Sequence, residues 1–402
     1  MRATATGVVL ACALLAQPAA AQISDNVVKI GVLTDMSGAF SDQTGRGSVL
    51  GAELAAEDFK NLVAGAKIEV VSADHQNKPD IGATIAKRWF DTEQVDVVVD
   101  LASSAVALAV QDIARERNKV ALFSGPGTTE LTGKSCSPNG IHWTYDTFAT
   151  ATATATALMD EGLDTWFFIG VDYAFGRNAE ADATAVVKAR GGKVLGSVRH
   201  PSNTADYSSY LLQAQASGAK VIAVANSGRD FVQLMKQAKE FGMLDGKQRL
   251  AAMAIALSDI KALGLDTAQG MVHAEAFYWD LNDQSRAFAK RFMARRDVAP
   301  SQAQAGSYSA VLNYLRAIDA TKTDEPGKVL AQMKAAPFSD AFTPRGYVRA
   351  DGRMVHDMYL VRSRKPSEPK GAWDLYDVVK TVPGDQAFRP MDKGDCPLVT
   401  KN

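Results

Sequence analysis

Two short runs of small and hydroxyl-bearing residues carry the clearest chemical potential in the chain. They are Ala102-Ser103-Ser104-Ala105 and Gly125-Pro126-Gly127-Thr128-Thr129. Each follows a short apolar run, so each falls just beyond a strand end. Hydroxyls and backbone N–H groups freed at a helix start hold an anion well. Ordinary helix capping by Ser104 and Thr128 is the plainer use of the same residues. Two adjacent loops of this kind together favour a corner that binds a carboxylate.

Other segments supply walls for such a corner. Phe40 lies in a polar, glycine-rich loop, where it can pack locally or line a cleft. Asp172-Tyr173-Ala174-Phe175-Gly176 and Ala225-Asn226-Ser227-Gly228 also follow apolar runs. Tyrosine offers a flat face and a hydroxyl, and Asn226 offers both a donor and an acceptor. Ala276-Phe277-Tyr278-Trp279-Asp280 adds three aromatics, of which Phe277 is expected in the core. Apolar walls with a few polar groups suit a small organic molecule. The predicted ligand-binding set is Phe40, Ser103, Ser104, Gly127, Thr128, Tyr173, Phe175, Asn226 and Tyr278.

Catalytic patterns are missing. No Gly-x-Ser-x-Gly elbow and no His-Glu-x-x-His occurs. The five histidines are scattered without zinc-ligand spacing. Asp74-His75 comes nearest to a catalytic or metal pair, and loop solvation or capping is the plainer explanation. Gly45-x-Gly47-x-x-x-Gly51 misses the dinucleotide fingerprint by one residue and lies too far beyond its strand. Those glycines are expected to allow a tight helix entry. No cofactor is expected.

The elements that position these residues alternate. Short β-branched runs predict strands over 29–33, 67–72, 95–99 and 119–123, and the 3.6-residue period predicts helices over 48–62, 80–90 and 105–117. A second series runs from 149 to 277, beginning with a threonine–alanine helix. Helices over 284–295, 308–321 and 326–336 follow. Alternation around Met354, Asp357, Tyr359 and Val361 predicts a small antiparallel addition. Apolar strands alternating with helices imply parallel sheets covered on both faces. The polar loop 125–146 and a second break at 278–283 divide the chain into two lobes.

The ends and the composition set the compartment. Residues 1–21 read as a signal peptide, with Arg2, an apolar run over 7–16 and Ala19-Ala20-Ala21 as a cleavage site. The run is too short to span a membrane. A lipidated Cys12 is the competing reading. A chain of 402 residues suits two lobes, and a net charge of −1 argues against nucleic acid. After cleavage only Cys136 and Cys396 remain. In an exported chain they suggest one disulfide tying the C-terminal tail to the first lobe, with two free or metal-bound thiols as the alternative.

Taken in order, several segments resemble the branched-chain-amino-acid-type solute-binding proteins of ABC importers. They are Lys-Ile-Gly-Val-Leu-Thr-Asp-Met-Ser-Gly (29–38), Leu-Ala-Ser-Ser (101–104), Ser-Gly-Pro-Gly-Thr-Thr-Glu-Leu-Thr (124–132) and Asp-Tyr-Ala-Phe-Gly-Arg (172–177), with Asp-Tyr-Ser-Ser-Tyr-Leu (206–211) and Gly-Ser-Tyr-Ser-Ala-Val (306–311). The resemblance implies a type I two-lobe α/β fold with three crossovers. Residues 27–145 and 276–337 would form lobe I, 148–273 and 340–385 lobe II, and 386–402 a tail. It implies a periplasmic, monomeric, non-catalytic receptor that closes on a ligand and delivers it to the membrane permease. Ser103 or Ser104, with Gly127 and Thr128, would hold a carboxylate, and Tyr173 or Phe175 would be the second-lobe aromatic.

One departure from the family pattern bears on the ligand. At the strand end that supplies a glutamate for an α-ammonium, this chain reads Ala254-Ile-Ala-Leu-Ser-Asp259. Leu257 falls where the acid is expected, and Asp259 replaces it if the register shifts by two. A buried ammonium without a partner costs several kcal/mol, roughly. The expectation is therefore an aromatic or other organic carboxylate. Branched-chain or other amino acids, amides and urea are the alternatives. An exported enzyme and a sensor or structural partner are the rivals from other classes.

Overall fold

A computed structural model describes residues 23–244 and 246–399. The expected signal peptide, with Cys12, lies outside them. The first sheet is built from β1 (Val27–Thr34), β2 (Leu62–Val63), β3 (Ala66–Asp74), β4 (Val97–Asp100), β5 (Val120–Phe123) and β6 (Gly140–His142), in the order β2-β3-β1-β4-β5-β6. All its pairings are parallel except β2 with β3. The helices α1 (Gly45–Asp58), α2 (Pro79–Asp91) and α3 (Ser104–Glu116) connect these strands. Val28, Ile30 and Val32 of β1 face one core and Leu33 the other. Both sheet faces are thus buried, as a parallel sheet requires.

The chain then leaves through α4 (Thr147–Asp160) and builds β7 (Thr165–Val171), α5 (Ala174–Ala189), β8 (Lys193–His200), α6 (Ser208–Ala216), β9 (Val221–Ala225), α7 (Gly228–Glu240) and β10 (Arg249–Ala252). These strands form a parallel sheet in the order β10-β9-β7-β8. Trp166 and Phe168 of β7 pack into one core, and Phe167 and Ile169 into the other. The two-residue period of a strand gives one apolar run two buried faces.

Short helices α8 (Leu257–Leu263) and α9 (Leu265–Ala268) lead to β11 (Val272–Glu275), and the chain returns to the first lobe as α10 (Asp283–Arg296), α11 (Gln302–Thr321) and α12 (Pro326–Ala335). It ends with the hairpin β12 (Tyr347–Val348) and β13 (Met354–Val355), then β14 (Met358–Ser363), β15 (Tyr376–Val382) and α13 (Gly384–Ala387). β14 pairs antiparallel with both β11 and β15, which realises the antiparallel addition expected of the tail. The molecule is a two-lobe α/β fold of the type I binding-protein architecture. Among the described residues no helix is long and apolar enough to cross a membrane.

The start of the chain shows how the expected elements are realised. The first helix ends at Asp58, not 62, because Lys60 and Asn61 turn left-handed (φ 54° and 57°) and Leu62 begins β2. Gly45, with φ 51° at the first position of α1, gives the expected tight helix entry, and the later glycines serve helix packing. A Cβ on Gly51 would lie 2.6 Å from the Gln304 carbonyl oxygen, so its absence lets α1 lie close against α11.

Cys136 and Cys396 form a disulfide, with Cα atoms 5.6 Å apart across 260 residues of sequence. The tail also reaches the second lobe, where Arg389 pairs with Asp182 of α5 at 2.7 Å. The cross-link closes a long loop in the unfolded chain. Cys136→Ser should therefore lower the unfolding free energy by about 2–5 kcal/mol. Urea titration of oxidised wild type against the variant reads this, and equal midpoints would refute it.

Candidate functional site

The two lobes face each other with the C-terminal ends of their parallel strands, the position where open α/β sheets bind ligands. From the first lobe come the loops after β1, β4 and β5. From the second come those after β7, β9 and β10. Each loop is shaped by local bonds. The Asp35 carboxylate accepts the N–H groups of Gly38 at 2.6 Å and Phe40 at 3.0 Å, which folds the loop after β1. Ser301 caps α11, its hydroxyl donates to the Gln43 carbonyl at 2.5 Å, and Gln304 donates to the carbonyls of Asp42 and Thr44, both at 3.1 Å. Gln43 is thereby held facing the other lobe.

The lobes touch on both sides of the cleft. Gln43 Nε2 donates to Ser227 Oγ at 2.9 Å and to Asp259 Oδ2 at 2.5 Å. The Arg229 N–H at the start of α7 donates to the Ala39 carbonyl at 3.2 Å. Across the cleft, Thr128 Oγ1 donates to Asn178 Oδ1 at 2.6 Å. A cavity of about 450 Å³ lies beside the first contact, lined among others by Asp42, Gln43, Asn203, Arg229 and Asp259.

The structure brings together most of the predicted residues. Ser103 and Ser104 are buried at the start of α3, and Ser103 makes no capping bond. A Cβ on Gly127 would lie 3.0 Å from the rings of both Tyr145 and Phe175, so Gly127 leaves room for two aromatic walls. Tyr173 and Phe175 stand with ring centroids 6.2 Å apart. The Phe40 ring packs at Gly228, where a Cβ would meet it at 3.1 Å. The Thr128 hydroxyl is engaged twice, donating to Asn178 and accepting from the Glu130 N–H at 3.2 Å. Asn226 is fully buried, with Nδ2 3.1 Å from His200 Nε2, and its Oδ1 has no partner among the described residues. Tyr278 lies apart from this group. It packs into the second-lobe core, 5.4 Å from the Tyr376 ring. Phe277 is core, stacked on Phe342 at 5.9 Å.

The alternative acid, Asp259, lies at the cleft. Leu257 points into the second-lobe core, whereas Asp259, two residues on, faces the cleft. Asp259 is buried, and its Oδ2 also accepts the Ala256 N–H at 3.0 Å. Burial pushes it up to about 7, against the bonds from Ala256 and Gln43. A second carboxyl, Glu275 at the end of β11, is 1% exposed. One oxygen accepts from the Tyr376 hydroxyl at 3.3 Å, and Oε2 has no partner among the described residues. Burial first, then Asp259, raises it.

Tyr145, between β6 and α4, stands beside the loop after β5. Its hydroxyl donates to the Gly125 carbonyl at 3.0 Å. Burial, followed by the fields of Glu275, Asp259 and Asp100, raises that hydroxyl. Gln43, Tyr145 and Glu275 escaped the sequence reading, and Asp259 entered it only as an alternative. The only signals were an amide beside Phe40 and single polar residues inside apolar or loop segments.

The Asp74-His75 pair has a structural role. Asp74 accepts from the Met36 and Gln76 N–H groups and the Ser37 hydroxyl, and His75 Nδ1 accepts from the Asn77 N–H. No cluster of three or more metal-ligating residues occurs among the described residues.

Comparison with known proteins agrees with this architecture. The periplasmic binding protein family matches residues 27–369. A periplasmic binding protein from Burkholderia mallei is 44% identical, with a TM-score of 0.91, covering 94% of this chain and 100% of that one. A branched chain amino acid ABC transporter periplasmic ligand-binding protein from Burkholderia xenovorans LB400 is 41% identical, with a TM-score of 0.83, covering 92% and 99%. A Leu/Ile/Val-binding protein homolog 6 from Brucella melitensis is 26% identical over 86% of this chain and 89% of its own. The chain therefore belongs to the periplasmic binding protein family: it is a non-catalytic periplasmic receptor that binds a small organic ligand between its two lobes.

Proposed function

We propose that the ligand is an amino-acid-type zwitterion, delivered to the permease of an ABC importer. Its carboxylate rests on the corner made by Ser103, Ser104 and the backbone at Gly127 and Thr128. Its ammonium rests on Asp259. Phe40, Tyr173 and Phe175 wall its apolar body. The supporting observation is Asp259, a buried carboxyl facing the cleft with only amide donors for partners. Such a group favours a ligand that carries a positive charge. A simple aromatic acid offers Asp259 no positive charge, and its own charge would oppose ionisation of that carboxyl. The 41%-identical relative described as a branched chain amino acid transporter component supports the same reading.

Paired ligands test it. L-Leucine and 4-methylpentanoate differ by the ammonium alone, as do L-phenylalanine and 3-phenylpropanoate. Calorimetry with the mature protein should find at least one amino acid that binds about thirtyfold or more tighter than its deaminated partner, the lower end of what a desolvated charge pair contributes. Tight binding of benzoate or 4-methylpentanoate with no amino acid bound would overturn the reading.

A further inference from the structure

β9 ends at Ala225, and Asn226 is the first residue beyond it. Ala225 pairs with Gly170 of β7, and Val171 of β7 pairs with His200 of β8. Asn226 and His200 therefore flank Val171 at the last rung of the second-lobe sheet, the end at which such sheets bind ligands. Val171 belongs to the same apolar cluster as Tyr145 and Phe175, and Tyr173 packs against that cluster. The two residues after Asn226 already meet the first lobe. Ser227 accepts from Gln43 at 2.9 Å, and a Cβ on Gly228 would lie 2.4 Å from the Ala39 carbonyl oxygen. Asn226 thus stands on the second-lobe floor of the cleft, across from the first-lobe corner of Ser103, Ser104, Gly127 and Thr128.

A chain of hydrogen bonds fixes which way its amide points. His200 Nδ1 lies 2.8 Å from the Pro201 carbonyl oxygen. A carbonyl can only accept, so Nδ1 carries the ring proton. Burial holds the imidazole below its usual range, opposed by the Pro201 carbonyl and Asp230, so the ring is neutral at pH 7 and Nε2 is an acceptor. Nε2 then takes its bond from the Asn226 amide nitrogen at 3.1 Å. Tyr207 and Tyr210 stand edge-on to the imidazole, with centroids 4.9 and 5.9 Å away, and hold it in place. With Nδ2 committed to His200, Oδ1 points away from it, buried and without a donor among the described residues. A buried amide oxygen left bare is costly, and folded proteins leave few. An amide does not ionise, so only a hydrogen-bond donor can answer it.

We propose that Asn226 Oδ1 selects the ligand by accepting a hydrogen bond from an O–H or N–H group on the ligand's body, and that His200 is a positioning residue that keeps the oxygen of this amide, not its nitrogen, turned to the cleft. This rests on the reading that a carboxylate occupies the first-lobe corner, and it deepens that reading without depending on the ammonium. The ligand class is then a small carboxylate that carries a donor on its body, a hydroxylated or amino-bearing acid and not a purely hydrocarbon one. A ligand without the donor would leave Oδ1 bare in a closed cleft. Sites built around a hydrogen bond reject such analogues strongly, because the buried partner stays unpaired.

Calorimetry with the mature protein compares ligands that differ in this one group. Benzoate, 4-aminobenzoate and 4-methoxybenzoate form one series. L-Phenylalanine, 4-amino-L-phenylalanine and O-methyl-L-tyrosine form a second, and L-valine and L-threonine an aliphatic pair. In at least one set the donor-bearing member should bind wild type about tenfold or more tighter than the plain member, while a methoxy member, which can only accept, gains nothing. Asn226→Leu, close to asparagine in size, should abolish that preference and leave the plain member bound at least as tightly. His200→Phe frees the amide to turn, so the donor preference should fall several-fold and the methoxy member should gain. A merely structural role for His200 would weaken all members alike. His200→Gln, whose side-chain oxygen can stand in for Nε2, should keep the wild-type order, and it decides the matter if the phenylalanine variant does not fold. Wild type that favours no donor-bearing member, or a preference that survives in Asn226→Leu, would overturn the role of Asn226. An unchanged order in His200→Phe, or a lost one in His200→Gln, would overturn that of His200. 4-Aminobenzoate favoured over benzoate with no amino acid bound would sink the amino-acid reading alone. Amino acids favoured over their deaminated partners, with no donor preference in any set, would sink the Asn226 role alone.

Discussion

Replacing Arg353 by methionine should lower the unfolding free energy by about 3–5 kcal/mol, the usual cost of removing one partner of a buried ion pair. Arg353 is fully buried in the segment that follows the β12–β13 turn. Its Nη1 lies 3.5 Å from Asp146 Oδ2, its Nη2 donates to the Thr144 carbonyl at 2.5 Å, and its Nε donates to the Met354 carbonyl at 2.9 Å. The guanidinium plane covers the Phe388 ring at 4.5 Å. Burial holds it down to about 10, opposed by Asp146. Residues 144–146 join β6 to α4, and Asp146 also caps α4 through the Ala149 N–H at 2.8 Å. Methionine fills much of the volume but leaves the Asp146 charge buried and unmatched. The Asp146→Asn change keeps the cap and removes that charge, so adding it to Arg353→Met should recover part of the loss. Urea titration of the two single variants and the double variant reads the coupling. A loss below about 1 kcal/mol in the arginine variant would show that the pair contributes nothing net.

That interaction also marks where sequence reading runs out. Arg353 and Asp146 are 207 residues apart. Nothing in the polar tail distinguishes an arginine that will be buried from one that will be solvated. The strand–helix alternation was legible because each parallel strand is an apolar run such as Val97-Val-Val-Asp100, bounded by loops and followed by a period of 3.6. The hydroxyl-rich loops were legible because the C-terminal ends of parallel strands are where such residues gather.

Contacts made only when the lobes meet were not legible. Gln43 reaches Ser227 and Asp259 across 184 and 216 residues. Its own neighbours in sequence give no reason to single it out. Which residue near Leu257 faces the cleft is a matter of register. β10 ends at Ala252 and α8 begins at Leu257, so the helix rather than the strand decides which side chain faces the cleft. Its first residue turns into the core, and the third, Asp259, folds back onto the Ala256 N–H.

Asp259→Asn should cost the bound amino acid about 2–5 kcal/mol, roughly thirtyfold to several thousandfold in affinity. Asparagine keeps the size of the side chain and an oxygen for the Ala256 N–H, so the loss reports charge more than shape. The pH dependence sharpens the point. Asp259 stands near 7 before ligand arrives. An ammonium needs the ionised form, so below that pH binding must first expel a proton. Wild-type affinity for an amino acid should therefore rise as pH climbs towards about 7, and Asp259→Asn should lack that rise. Glu275 provides the control for the assignment. Its carboxyl is buried close enough to Asp259 to be raised by it, and its Oε2 has no partner among the described residues. Glu275→Gln should leave the preference for amino acids over their deaminated partners intact. If that preference survives in Asp259→Asn and vanishes in Glu275→Gln, the ammonium belongs to β11 and not to the start of α8.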